Sequence, residues 1–129
     1  MNDLTTNGGH MNKYVSEAIG SFIINFCGIG AAVFTYKFTG VFGTALAFGL
    51  SYLFCYYVMC KKSGCHLNPA VSLAALYCKK IKVRQFWYYV LAQFIGAIVS
   101  CLLLLVFIVL AKEGQDLLID FHAANGFDN

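Results

Sequence analysis

The spacing of charged residues constrains this chain more than any other feature. Lys, Arg, Asp and Glu leave three long uncharged runs: residues 18 to 36 (19 positions), 38 to 60 (23 positions) and 85 to 111 (27 positions). The hydrocarbon core of a bilayer is about 30 Å thick and takes roughly 20 apolar residues to cross as a helix. Each run is long enough. The balance of 60% hydrophobic to 12% charged residues in a chain of 129 agrees, because a soluble domain carries far more charge. We expect transmembrane helices over residues 14–36, 40–60 and 85–111. The first is not a cleavable signal peptide: it lacks a basic run before a short apolar core, and it carries Glu17, Ser21 and Asn25.

Basic residues near the ends of spans stay on the cytoplasmic side. Three spans place Lys13, Lys61, Lys62, Lys79, Lys80, Lys82 and Arg84 on one side and leave Lys37 and Lys112 on the other. The N-terminus is therefore expected inside, with residues 1–12 as a disordered cytoplasmic segment. Residues 112–129, with Glu113, Asp116, Asp120 and Asp128, become an extracellular or periplasmic tail. This describes a multi-pass protein of the cell membrane. Its net charge of +3 follows from orientation, and no nucleic-acid partner is inferred.

Cys27, Cys55 and Cys101 fall within spans, where a thiol behaves as a small apolar group. Cys60, Cys65, His66 and Cys78 match no common zinc-ligand spacing. No metal or cofactor is expected. No nucleophile stands beside a base, so no enzyme is expected either.

Ser63 to Cys78 is uncharged but too short to cross. Asn68 is a preferred N-cap residue and Pro69 suits the first helical position, where its missing N–H costs nothing. A helix over residues 69–78 would reach about 15 Å, half the hydrocarbon thickness. Two readings stay open. In one, the helix re-enters the membrane and stops at the midplane. Residues 63–67 must then be buried or line a watery cavity, since irregular backbone is tolerated at that depth only there. In the other, Asn68-Pro69 is an ordinary turn that opens a helix lying on the surface.

Ser63-Gly64-Cys65-His66-Leu67-Asn68-Pro69-Ala70-Val71-Ser72 resembles the SGxHxNPAVT/S signature of the major intrinsic proteins, or aquaporins, and of their bacterial water-selective branch in particular. Glu17 to Phe22 is similar to the ExxG[ST]F pattern of their first helix, Ala45 to Leu50 to ALAFGL in the second, and Ala92 to Ala97 to AQxxGA in the third. The resemblance covers residues 13 to 127. It implies an all-α membrane protein built as a single aquaporin repeat, with three transmembrane helices plus one re-entrant half-helix.

It also implies roles. Asn68 of the motif Asn68-Pro69-Ala70 would donate to water oxygen in the pore. The carbonyls of Gly64, Cys65, His66 and Leu67 would form a ladder of acceptors leading to it. His66 is otherwise read as a buried, satisfied imidazole. Thr44, Phe48, Ser51 and Cys55 share one helix face by spacing, and the family makes Phe48 one wall of a selectivity filter; the alternative is a packing or lipid-facing ring. Glu17, on one face with Ser21 and Asn25, would brace the re-entrant loop, unless it faces headgroups at the interface. Gln93 is expected in a supporting role beside a small-residue stripe of Ala92, Gly96 and Ser100.

The implied activity is passive water conduction, with small neutral solutes as further candidates. Full-length relatives carry an inverted second repeat with its own Asn-Pro-Ala, and the pore lies between the two. This sequence shows only one such motif, so we expect a truncated or split half. Its partners would be the lipid bilayer and a second aquaporin half or further copies of itself. The alternatives are a non-conducting remnant or a small membrane protein repurposed for binding.

Overall fold

A computed structural model describes residues 6–114, with side chains from 13 to 111. Four helices follow in order: α1 (Thr6–Phe34), α2 (Tyr36–Ser63), α3 (Pro69–Tyr77) and α4 (Val83–Gly114). Three of them contain stretches long and apolar enough to cross a membrane: Lys13–Phe34, Tyr36–Ser63 and Val83–Ala111. The fourth, α3, has 9 residues and reaches about 13 Å. Among the described residues there is no strand.

The ends differ from the sequence expectation in an instructive way. Residues 6–12 are helical; extending an existing helix costs far less than starting one. Residues 1–5 and the tail from 115 lie outside the described residues. The second span was expected from residue 40; α2 starts at Tyr36, and Gly40 within it departs from helical backbone with φ 59 and ψ −158. A short helical turn precedes that kink. At its other end α2 runs past Lys61 and Lys62 to Ser63, since long basic side chains let a helix continue at the membrane edge.

α1 is the middle helix, with α2 on one flank and α4 on the other, while α3 packs on α4. The pairings fix directions. Gly20 meets Cys55 and Gly28 meets Phe48, so α2 runs antiparallel to α1. Tyr14 touches Tyr88 and Tyr89, Glu17 bonds Gln93, and Phe26 touches Phe107, so α4 runs parallel to it. The α1–α4 approach is close at Gly96, where an added methyl would overlap the Ala18 carbonyl. Small residues at such crossings let backbones touch. The outer surface is apolar, with Leu, Ile, Val and Phe exposed along α2 and α4, as suits a lipid solvent.

Candidate functional site

The segment between α2 and α3 is irregular backbone packed against helices. α2 ends at Gly64 in the left-handed region with φ 86, its N–H donating to the Cys60 carbonyl at 3.0 Å. Glycine adopts that conformation without steric cost. Cys65 (φ 56) and Leu67 (φ 54) adopt it too, and for residues with a side chain this costs free energy that the surroundings must supply.

Glu17 supplies much of it. Its side chain is fully buried. Oε1 accepts from the His66 N–H at 2.9 Å, and Oε2 accepts from the Leu67 N–H at 2.6 Å and from Gln93 Nε2 at 2.9 Å. Three N–H groups thus meet one buried carboxylate, and such charge-assisted bonds are among the stronger ones. The reading of Glu17 as a headgroup-facing residue is not what the geometry gives.

The network continues. Gln93 Nε2 also donates to Ser72 Oγ at 3.0 Å, and Ser72 Oγ lies 3.1 Å from His66 Nδ1. Ser72 Oγ keeps a second lone pair and its own hydrogen, so its direction toward His66 Nδ1 follows the imidazole tautomer. The ring stacks on Tyr89 at 4.5 Å between centres, and the Tyr89 hydroxyl donates to the Ser63 carbonyl. Gln93 Oε1 is buried without a partner among the described residues.

The four carbonyls expected to act alike are divided. The Cys65 carbonyl accepts from the Tyr52 hydroxyl at 3.3 Å and the Leu67 carbonyl from Ser21 Oγ at 3.2 Å. Among the described residues, no protein donor bonds the Gly64 or His66 carbonyl. Cys65 and Leu67 are themselves buried in a small apolar cluster with Cys55 and Met59.

Asn68 is exposed, with extended backbone, and caps α3: its Oδ1 accepts from the Ala70 N–H at 2.8 Å. Its carbonyl accepts from the Ser72 N–H, one turn on. Pro69 occupies the first helical position. The cap uses the oxygen of the Asn68 amide and leaves Nδ2 as a donor beside the positive end of the α3 dipole.

Phe48 stands apart from this group. Ser51 and Cys55 of its stripe are buried against α1, and the Phe48 ring lies across Gly28, with 36% of the residue exposed. The polar stripe is therefore the α1–α2 seam, and Phe48 sits near the middle of α2, 15 residues before its loop end at Ser63. An apolar recess of about 500 Å³ opens between α1 and α4, lined by Phe26, Phe34, Leu104 and Phe107 among others, and it does not include the loop. No group of His, Cys, Asp or Glu among the described residues is arranged to hold a metal ion.

Sequence reading missed Ser72, Tyr89, Tyr52 and Ser63 as supports. Tyr89 had a signal: with Gln93, Gly96 and Ser100 it repeats at i, i+4, i+7 and i+11, a polar face on the most apolar helix.

The family model for the major intrinsic proteins matches residues 5–127. Aquaporin Z of Rhodopseudomonas palustris is 42% identical over 120 residues, which cover 90% of this chain and 49% of that protein. Aquaporin Z of Bradyrhizobium diazoefficiens is 42% identical over 122 residues, or 92% and 50% of the two chains. Aquaporin Z of Photorhabdus laumondii is 33% identical over 121 residues, or 91% and 52%. The chain spans about half the length of these curated relatives. No solved structure matches it significantly. With three membrane-length helices, a capped half-helix and a family model spanning nearly all its residues, the chain belongs to the major intrinsic protein family.

Proposed function

We propose that this chain forms one wall of a passive water pore in a cell membrane. Water would approach along the Gly64 and His66 carbonyls, with Cys65 and Leu67 offering only a remaining lone pair each. It would then turn its oxygen to Asn68 Nδ2 at the start of α3. The observation that carries this reading is the division of labour at Asn68, whose oxygen is held by the Ala70 N–H while its nitrogen remains a donor at the positive end of a helix. A proton or cation arriving there meets unfavourable charge, whereas a neutral water does not. Pro69 and Ala70 set the start of that helix. The His66 ring would add a polar group beside the path, and Phe48 would narrow it farther on.

Depth supports the same reading. Ser21, which bonds the Leu67 carbonyl, lies eight residues beyond Lys13, the start of the first span, or about 12 Å into a membrane roughly 30 Å thick. The basic ends of all three spans face the cytoplasm in this reading, so the N-terminus is inside. Glu17 and Gln93 act on the path only through the loop they hold. The opposite wall would come from an inverted second repeat, and water is the favoured substrate over other small neutral solutes.

Stopped-flow swelling of vesicles tests this directly. Vesicles holding the chain together with a second repeat from a water-selective relative should swell faster than empty ones, with a low activation energy. Equal rates in the two preparations would sink the proposal.

A further inference from the structure

Outside the loop and its supports, one group of side chains is built without an evident task. Lys13 begins the first span and Arg84 stands one residue into the third, which starts at Val83; because α1 and α4 are parallel, both mark the same edge of the membrane. Lys13 Nζ lies 5.0 Å from the centre of the Tyr14 ring and 5.3 Å from that of Tyr89. The Arg84 guanidinium lies 5.7 Å from the Tyr88 ring, and its Nη2 donates to the Tyr88 hydroxyl at 3.4 Å. Tyr14 and Tyr88 touch at 5.4 Å between centres. Two cations thus flank a tyrosine pair, held in place by ring faces.

Among the described residues, no carboxylate balances them. The sequence has no Asp or Glu between Glu17 and Glu113, and both Glu17 oxygens are bonded to the loop and to Gln93. Lys79, Lys80 and Lys82 beside α4 add further positive charge. Below Arg84 the same face of α4 continues through Tyr88, Leu91 and Ile95 at i+4, i+7 and i+11, and these are 44%, 59% and 51% exposed. A charged head therefore sits above a bare apolar track that runs into the membrane.

We propose that Lys13 and Arg84, with the hydroxyls of Tyr14 and Tyr88, bind the phosphate of an anionic phospholipid whose acyl chain lies along Leu91 and Ile95. A soluble phosphate would use the cations but not the track, so the lipid is the ligand that both halves fit. Each basic side chain at an anionic surface contributes roughly a fivefold preference.

Trp87 is the chain's one tryptophan, three residues after Arg84 and 64% exposed, so it reports on lipid at this edge. The chain is reconstituted in equal parts of phosphatidylcholine and phosphatidylglycerol, with one or the other brominated on its acyl chains. Brominated phosphatidylglycerol is expected to quench Trp87 as if enriched roughly 25-fold over phosphatidylcholine, the product of two basic side chains. The double variant Lys13→Gln, Arg84→Gln should lose that preference, while the charge-preserving Lys13→Arg, Arg84→Lys should keep it. The double variant Lys61→Gln, Lys62→Gln, with the same change in charge at the end of α2, should keep it as well. No preference in the unaltered chain would overturn the proposal. So would equal loss in both neutralised variants, which would mean diffuse attraction, or displacement by millimolar inorganic phosphate.

Discussion

Asn68 divides its amide between structure and permeation, and substitution can separate the two. Asn68→Asp keeps an oxygen for the Ala70 N–H and so should preserve the cap, but it replaces the Nδ2 donor with a second acceptor. Helicity and thermal stability should stay near those of the unaltered chain while water flux in a complete pore falls to background. Asn68→Ala should lose flux and in addition about 1 kcal/mol of stability, as is usual for an emptied N-cap. Glu17 gives the contrasting case. Glu17→Ala removes the acceptor of three buried N–H groups and should cost about 2 to 4 kcal/mol. Titration with sodium dodecyl sulfate, followed by circular dichroism, measures the loss. With the loop released, the Cys65 thiol, buried in the native fold, should react with maleimide at a rate approaching that of exposed Cys78. Unchanged protection of Cys65 in Glu17→Ala would show that the left-handed backbone holds without its clamp.

The helices themselves were largely legible before any coordinates. Long uncharged runs gave three spans because lipid penalises charge at any position between their ends, and Asn68-Pro69 marked the start of α3 because few residues suit those two positions. Boundaries were less legible: α1 starts at Thr6 and α2 at Tyr36, where nothing in the local sequence forces a stop. The site was legible only in part. Asn68, Glu17 and Gln93 stand out as polar groups in apolar surroundings. The division of the loop carbonyls does not, since it depends on the backbone signs at Cys65 and Leu67 and on hydroxyls from Tyr52 and Ser21 that are distant in sequence. Gly96 provides a test at this scale. Its contact is with backbone, which cannot swing aside as a side chain can, so Gly96→Val should push α4 from α1 and cost about 1 to 3 kcal/mol. Glu17 and Gln93 would part with it, and Cys65 should again become reactive. The atoms nearest Gly28 belong to the Phe48 ring, which can rotate, so Gly28→Ala should cost less in the same titration.

At the scale of the molecule, one repeat presents a polar loop and a wide apolar exterior at once. The apolar faces suit lipid, but the exposed Asn68 requires water or a second protein wall. Vesicles containing only this chain should therefore swell no faster than empty ones, while those supplied with a second repeat should, and stopped-flow light scattering compares them. The buried carboxylate of α1 bears also on how such a molecule is made. Its three donors lie 49, 50 and 76 positions later in the sequence. During synthesis the first helix must reach the insertion machinery carrying an acid whose donors have not yet been made. It can be released into lipid cheaply only after the ribosome has delivered Gln93, so the opening segment is expected to linger beside the translocon until the last one emerges. The order of translation and the order of membrane entry would then differ.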